Sequence, residues 1–167
     1  MWRSLSRAID FLSELLAYWS GAAFVLVSLY ITYDSAARYL GLPFSGITDE
    51  ISAYCLAVAG TGGMAYGLKV GAHVRIDLLL AHLGPTMRRA FDILAGGVTM
   101  CFAALLAYYA WVQAYEAFDL GTRSITVLQA PLAIPQALVA VGFTLLAIQA
   151  ASLLLRGAAA PAGGEFV

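Results

Sequence analysis

The stretch ILAGGVTMCFAALLAYYAWV, residues 93–112, runs for 20 residues without a charged side chain. A helix of about 20 apolar residues is long enough to cross the hydrocarbon core of a bilayer, which is roughly 30 Å thick. This stretch therefore predicts a membrane-spanning helix. Three other charge-free stretches predict spans of the same kind, at residues 15–33, 51–68 and 134–155. Pro131 and Pro135 place the beginning of the last span, because proline is tolerated in the first turn of a helix and disrupts it further in.

The composition of the chain also indicates lipid as its solvent. Of the 167 residues, 62% are hydrophobic and only 11% are charged, whereas a soluble domain carries about 25% charged residues. So few charges could not cover a water-facing surface of this size. The net charge of -1 says little about partners, but no basic patch of the kind that binds nucleic acid is present, so we expect no nucleic acid as a partner. We expect an all-α integral membrane protein whose four-helix domain occupies residues 15–155.

The lysine and arginine residues predict the orientation of the chain in the membrane, because they are enriched in cytoplasmic loops. Seven of them lie in the N-terminal tail, the middle loop and the C-terminal tail: Arg3, Arg7, Lys69, Arg75, Arg88, Arg89 and Arg156. Only Arg38 and Arg123 lie in the two other loops, 34–50 and 113–133. This asymmetry predicts that both termini are cytoplasmic and that these two loops face outward.

The two ends of the chain are predicted to be different in character. Trp2, Leu5, Ile9 and Leu12 recur at helical spacing, which is typical of an amphipathic helix on the inner membrane surface. We therefore predict an interfacial helix at residues 1–14; the alternative is a tail that merely continues the first span. A cleaved signal peptide is disfavoured because no clear small-residue cleavage site follows the apolar run. Residues 156–167 are predicted to be a flexible cytoplasmic tail.

The predicted spans contain no residues that could carry chemistry. A transporter that works alone needs a charged residue deep in a span, and none of the four stretches has one. A haem-binding anchor needs histidines within its spans, but His73 and His82 both lie in the middle loop. No nucleophile–base pair, phosphate loop or metal-ligand spacing is present. We expect a protein without enzymatic activity, metal or cofactor.

The second span carries two features that favour structural roles. Ala59, Gly63, Gly67 and Gly71 follow one another at intervals of four residues, and such a stripe of small residues lets two helix backbones approach closely in lipid. The neighbour could be another span of this chain or a partner subunit. Thr48, Asp49 and Glu50 open the span, where they could cap the helix and place negative charge at its positive end.

Residues 38–79 resemble the small membrane subunit of tripartite ATP-independent periplasmic (TRAP) transporters, the DctQ-like family. The resemblance is carried by an arginine–aromatic pair, an acidic pair opening the second span, and a histidine-hydrophobic-arginine-hydrophobic-aspartate-leucine stretch. These residues are Arg38, Tyr39, Asp49, Glu50, His73, Arg75 and Asp77. The size, the four spans and the cytoplasmic ends are similar to the family over nearly the whole chain.

The resemblance implies a function in the bacterial inner membrane. Proteins of this kind work with a large permease subunit, which holds the substrate and sodium sites, and with a periplasmic solute-binding protein. The small subunit would scaffold the permease while a sodium gradient drives import of a carboxylate-bearing solute. Besides these two proteins, membrane lipids are the expected partners. The alternative is a membrane-anchor subunit of a respiratory enzyme complex.

Single residues receive structural and functional interpretations that the sequence leaves open. Asp34 and Arg38 have the spacing of a local ion pair on a helix, but Arg38 could instead reach Glu50. The functional hypothesis is that outer charges dock the binding protein, because most of them are acidic. The candidates are Asp34, Asp49, Glu50, Glu116, Asp119 and Arg123. His73, Arg75 and Asp77 either fix the middle loop at the membrane surface or tie it to the permease subunit.

Overall fold

The computed structural model describes residues 2–43, 46–70, 84–126 and 128–159. Within these ranges the chain forms four long α-helices, each with a segment long and apolar enough to cross a membrane. They are α1 (Trp2–Tyr39), α2 (Thr48–Lys69), α3 (Pro85–Asp119) and α4 (Ala133–Ala159). The prediction of an all-helical protein with four potential membrane spans is confirmed.

Helix α1 is longer than the predicted first span. Its 38 residues correspond to a length of about 57 Å, against roughly 30 Å for the hydrocarbon core. The predicted boundary between residues 14 and 15 does not coincide with a helix end, because α1 is continuous through it. The segment 1–14 is therefore the beginning of α1, and its position on the membrane surface stays a prediction.

Helices α1 and α3 end in the same way, with a glycine in the left-handed region. Gly41 has φ 69° and Gly121 has φ 59°. Glycine adopts this conformation readily because it has no side chain to clash with the backbone. In each case the next residue donates its N–H to a carbonyl five residues back, from Leu42 to Ala37 and from Thr122 to Ala117, both at 2.9 Å. These bonds satisfy the last helical carbonyls and stop the helix.

The four helices form an open row in the order α1, α2, α4, α3. Helix α2 packs against both α1 and α4, whereas α3 packs mainly against α4 and the α1–α4 contact is small. The hydrophobic effect does not force helices together in lipid, so local fit between surfaces decides which helices become neighbours. The row leaves most of the apolar surface exposed. In the most hydrophobic segment of α1, only 6% of the residues are buried.

Small residues create the closest helix contacts in the row. A Cβ added to Gly62 of α2 would lie 2.7 Å from the Ser20 hydroxyl of α1. A Cβ added to Gly142 of α4 would lie 2.8 Å from the Thr61 side chain and 3.0 Å from its backbone. Only glycine at these two positions allows α2 to approach both of its neighbours so closely.

The positions of the charged residues on α1 and α2 indicate how these helices fit the thickness of a membrane. Lys69 at the end of α2 lies 2.7 Å from Glu14 of α1, so the two helices are antiparallel. Asp34 lies 20 residues beyond Glu14 on α1, which corresponds to about 30 Å, the thickness of the hydrocarbon core. The charges of α1 and α2 therefore lie at the two margins of one membrane-sized layer.

Candidate partner-binding surfaces

The C-terminal end of α1 carries a local ion pair. The Arg38 guanidinium lies 2.7 Å from the Asp34 carboxylate and also donates to it from Nε at 2.9 Å. Of the two interpretations that the sequence left open, the i,i+4 pair is confirmed. Asp34 is only 2% exposed, which makes it the least accessible of the docking candidates. Its part in docking stays a prediction.

Glu50 of α2 has partners other than Arg38. Its carboxylate accepts a hydrogen bond from the Tyr54 hydroxyl at 2.7 Å and another from the Thr126 hydroxyl. The residue itself is buried, with 6% of its surface exposed. Ile47 stands at the N-cap position of α2, and its side chain makes no capping hydrogen bond. Capping by Thr48, Asp49 or Glu50 stays a prediction, but the negative charge of Asp49 and Glu50 in the first turn is confirmed.

The segment between α3 and α4 is an ordered hairpin. The Ser124 N–H donates to the Ala130 carbonyl at 2.9 Å, and the Leu132 N–H donates to the Thr122 carbonyl at 3.1 Å. We call residues 122–126 and 128–132 the outer hairpin, after the side of the membrane that the sequence predicts for this loop. Because Thr126 also donates to Glu50, the outer hairpin extends from the end of α3 to the beginning of α2. Sequence reasoning did not find this contact, which joins residues 76 positions apart.

Four of the six residues predicted to dock the binding protein are exposed in this chain. Asp49, Glu116, Asp119 and Arg123 are exposed, and three of the four are acidic. Arg123 belongs to the outer hairpin, where its guanidinium donates to the Gln129 carbonyl at 3.5 Å. Tyr39, from the family motif, is 90% exposed at the end of α1.

The small-residue stripe of α2 divides into two parts. Ala59 is buried, but a Cβ added to Gly63 would meet no atom within 4 Å. Gly67 is half-buried, and Gly71 lies outside the described residues. Gly62, which the stripe did not include, makes the close contact with α1. The stripe therefore stays a prediction as a packing surface. Gly63 has no close contact with another helix of this chain, so a packing role there would need a partner protein.

A buried polar network at the opposite end of the row was missed by sequence reasoning. Gln149 of α4 and Ser13 of α1 are both 0% exposed. The Ser13 hydroxyl lies 3.3 Å from Gln149 Oε1, and the Gln149 amide donates to the Asp10 carboxylate at 3.2 Å. The network joins the beginning of α1 to the end of α4. The beginning of α1 and the C-terminal half of α4 therefore lie on the same side of the row. Gln149, an amide in an apolar run, was the signal available in the sequence.

The remaining residues of the family motif cannot be placed. His73, Arg75 and Asp77 lie outside the described residues, so their predicted roles stay predictions. In the described part of the chain, no three histidine, cysteine or carboxylate side chains are grouped closely enough to hold a metal ion. Several of the polar contacts in the described residues join one helix to another or to the outer hairpin.

These features define a class of protein: a multi-pass membrane component with polar groups that connect its own helices. The sequence matches the family described as tripartite ATP-independent periplasmic transporters, DctQ component, over residues 27–160. This match covers most of the chain, and the chain belongs to the DctQ family. It is thus a multi-pass inner-membrane component of a TRAP transporter. The match gives no support to the respiratory-anchor alternative. A comparison with curated proteins gives no match.

Proposed function

We propose that this chain scaffolds the large permease subunit of a sodium-driven TRAP transporter that imports a carboxylate-bearing solute. The observation that carries the proposal is the family match together with spans that hold no charged residue at 15–33, 51–68, 93–112 and 134–155. A pathway for sodium and a carboxylate needs polar or charged groups inside the membrane. The substrate and ion sites are therefore assigned to the permease, and support of that subunit is assigned to this chain.

The polar residues that do occur near the margins favour the same interpretation. Gln149 has Ser13 and Asp10 as hydrogen-bond partners, and Lys69 has Glu14. Groups engaged in this way stabilise the helix row and are not arranged along a path. The decisive experiment is uptake by proteoliposomes containing the permease alone, this chain alone, or both. Uptake is expected only with both present, together with the binding protein and a sodium gradient. Sodium-driven uptake by this chain alone would contradict the proposal.

We also propose that the α2 stripe is the surface that meets the permease. Gly63 is open on the surface of this chain, which suits the close approach of a partner helix. Gly63→Leu is expected to reduce copurification of the permease in mild detergent, because leucine keeps the two backbones apart. Gly97→Leu on α3 is the matched control, since Gly97 also has no atom within 4 Å of an added Cβ. Equal copurification of both variants would assign the contact to another face.

The middle loop supplies a second proposed contact with the permease. The residues are His73, Arg75 and Asp77, which carry the family resemblance. If Arg75 ties the loop to the permease, Arg75→Ala is expected to reduce copurification. Arg89→Ala changes a cationic residue near the same predicted membrane side and serves as the control. If Arg75→Ala did not change copurification, Arg75 would only fix the middle loop at the membrane surface and would not bind the permease.

The outer surface is proposed to receive the binding protein. Glu116 and Asp119 are exposed at the outer end of α3, and charges at the rim of an interface mainly steer the encounter. The double reversal Glu116→Lys and Asp119→Lys is expected to slow uptake when the binding protein is limiting, and added salt should weaken the difference. Thr86→Lys, at the opposite end of α3, is the control. Equal uptake by both variants would exclude these carboxylates from docking.

The orientation follows from the positive-inside rule and also belongs to the proposal. Asp10 near the beginning of α1 and Gln149 of α4 lie on the same side of the row, and we assign that side to the cytoplasm. A membrane-impermeant maleimide applied to intact cells tests this. A cysteine introduced at exposed Asp119 should react with it, and one introduced at exposed Thr86 should react only after the membrane is opened. The reverse pattern would invert the topology.

A further inference from the structure

The two acidic residues that open α2 have different surroundings. Asp49 is exposed, whereas Glu50 is buried and accepts hydrogen bonds at both of its carboxylate oxygens. Oε1 accepts from the hydroxyl of Tyr54, one turn further along the same helix, at 2.7 Å. Oε2 accepts from the hydroxyl of Thr126 in the outer hairpin. Glu50 is therefore engaged inside the chain, while its neighbour is open at the surface.

The hydroxyl groups of the outer hairpin form a chain that ends at Glu50. Thr126 has one hydroxyl hydrogen, which it donates to the carboxylate, because an ionised carboxylate can only accept. The Ser124 hydroxyl lies 2.6 Å from Thr126 Oγ1 and is therefore the donor in that pair. The Thr126 N–H donates in turn to Ser124 Oγ at 3.2 Å. Two residues of the hairpin are thus fixed in relation to one carboxylate of α2.

The residue between these two hydroxyls is a fully exposed isoleucine, Ile125. Its neighbours on both sides, Ser124 and Thr126, belong to the chain of hydrogen bonds that ends at Glu50, so the position of Ile125 depends on that carboxylate. Arg123, the residue before Ser124, is exposed as well. The contact with Glu50 therefore determines where an apolar and a cationic side chain stand on the outer hairpin.

We propose that Glu50 is a positioning residue that holds the outer hairpin over the beginning of α2, so that the hairpin meets the binding protein in a fixed arrangement. This inference rests on the proposed docking of the binding protein on the outer surface. The hairpin follows directly on the end of α3, where the exposed carboxylates Glu116 and Asp119 lie, so it is continuous with that docking surface. A loop that is already fixed loses less conformational entropy on binding than a mobile one. Glu50 thus raises the affinity for the binding protein by acting through Thr126.

Uptake by proteoliposomes containing the permease and this chain separates the position of the hairpin from the charge of Glu50. The measured quantity is the concentration of binding protein that gives half-maximal uptake. Thr126→Val keeps the charge of Glu50 but removes the hydroxyl, and it is expected to raise this concentration by about fivefold, as the loss of one hydrogen bond allows. Glu50→Ala is expected to raise it at least as much.

The conservative variant Glu50→Gln is expected to restore the function without the charge. Its amide can accept from Tyr54 and donate to Thr126, so the half-maximal concentration should stay within about twofold of that of the unmodified chain. Thr32→Val is the matched control for the loss of a threonine hydroxyl. The Thr32 hydroxyl donates to the Ser28 carbonyl of its own helix, at 2.7 Å, so this variant should leave the concentration unchanged.

A spectroscopic measurement tests the position of the hairpin directly, without the binding protein. A nitroxide is attached to Ile125→Cys, with the two native cysteines replaced by alanine, before the chain is assembled with the permease. Glu50→Ala and Thr126→Val are expected to increase the mobile component of the spectrum, whereas Glu50→Gln should not. Asp49→Ala is the matched control at the exposed acidic neighbour, and it should also leave the spectrum unchanged.

The outcomes distinguish this proposal from the proposed function. Unchanged mobility in both Glu50→Ala and Thr126→Val would overturn the positioning role, whatever the uptake shows. Greater mobility with an unchanged half-maximal concentration would exclude the hairpin from docking and would refute the proposal in that way. If Glu50→Gln impaired uptake as strongly as Glu50→Ala while Thr126→Val had no effect, the charge and not the position would act, which is also incompatible with it. Uptake that did not depend on the binding protein at all would instead contradict the proposed function.

Discussion

The buried network at Gln149 provides a quantitative test of how the row is held together. Replacing Gln149 with leucine changes the chemistry of the side chain with little change in its size, so it removes the hydrogen bonds without leaving a large cavity. The change eliminates one contact with Ser13, at 3.3 Å, and one with Asp10, at 3.2 Å. Ser13 keeps the Ile9 carbonyl as an acceptor, at 3.0 Å, so its hydroxyl is still satisfied.

The expected magnitude follows from these two bonds. Hydrogen bonds between membrane helices contribute about 0.6 kcal/mol each on average and at most about 1.7 kcal/mol. Two of them predict that Gln149→Leu lowers the free energy of unfolding by about 1.2 kcal/mol, with an upper limit near 3.4 kcal/mol. The central value corresponds to about an eightfold change in the unfolding equilibrium constant. Because one acceptor is a carboxylate, a loss above the central value would also agree with the structure.

The measurement is reversible unfolding in mixed micelles with a rising fraction of dodecyl sulfate, followed by tryptophan fluorescence. Gln136→Leu is the matched control on the same helix, since the buried Oε1 atom of Gln136 accepts no hydrogen bond. This variant is expected to be neutral or slightly stabilising, because it removes a buried acceptor without a partner. If Gln149→Leu destabilised the chain no more than Gln136→Leu, the network would not be what joins α1 to α4.

Two further predictions concern helix contacts and use the same titration. Gly142→Leu is expected to lower the free energy of unfolding by about 1–3 kcal/mol, because the new side chain overlaps Thr61. Gly97→Leu, whose side chain enters open space, should change the free energy of unfolding by no more than about 0.5 kcal/mol. Equal losses in the two variants would refute the contact. Lys69→Met removes the half-exposed ion pair with Glu14 and should lower stability by at most about 1 kcal/mol. That loss should shrink in molar salt, and a salt-independent loss would mean that the contact is not electrostatic.

The existence of the helices could be predicted from the sequence, but their order in the row could not. Uncharged runs indicate spans because lipid excludes charge, and glycines such as Gly41 and Gly121 indicate where helices stop. Which helices become neighbours depends on contacts such as Thr61 against Gly142. Small residues occur on every span of this chain, so their pattern alone does not identify the partners. The intervals of four residues in α2 pointed to Gly63, one position away from the contact that forms at Gly62.

The polar contacts were predictable only where both partners lie on one helix. The Asp34–Arg38 pair follows from a spacing of four residues on the same helix face. Glu50 gave no indication that it would meet Thr126, since that contact requires the outer hairpin to fold back over α2. Gln149 carries no charge, so it does not stand out in the apolar run of the fourth span. A buried amide in a span can nevertheless hold two helices together as a charged residue does.

An open row of helices has a specific consequence for how its partner should be sought. In water, exposed leucines on α1 and α3 would indicate an interface, but lipid tails are as apolar as leucine, so the same surface is stable without a partner. Exposed apolar area therefore does not locate the permease contact. Features that lipid does not satisfy as well are more informative, such as the open Gly63 for the proposed permease contact and the exposed carboxylates Glu116 and Asp119 for the proposed docking of the binding protein. A scan of the surface of this chain should begin with these positions and treat exposed leucines as the background.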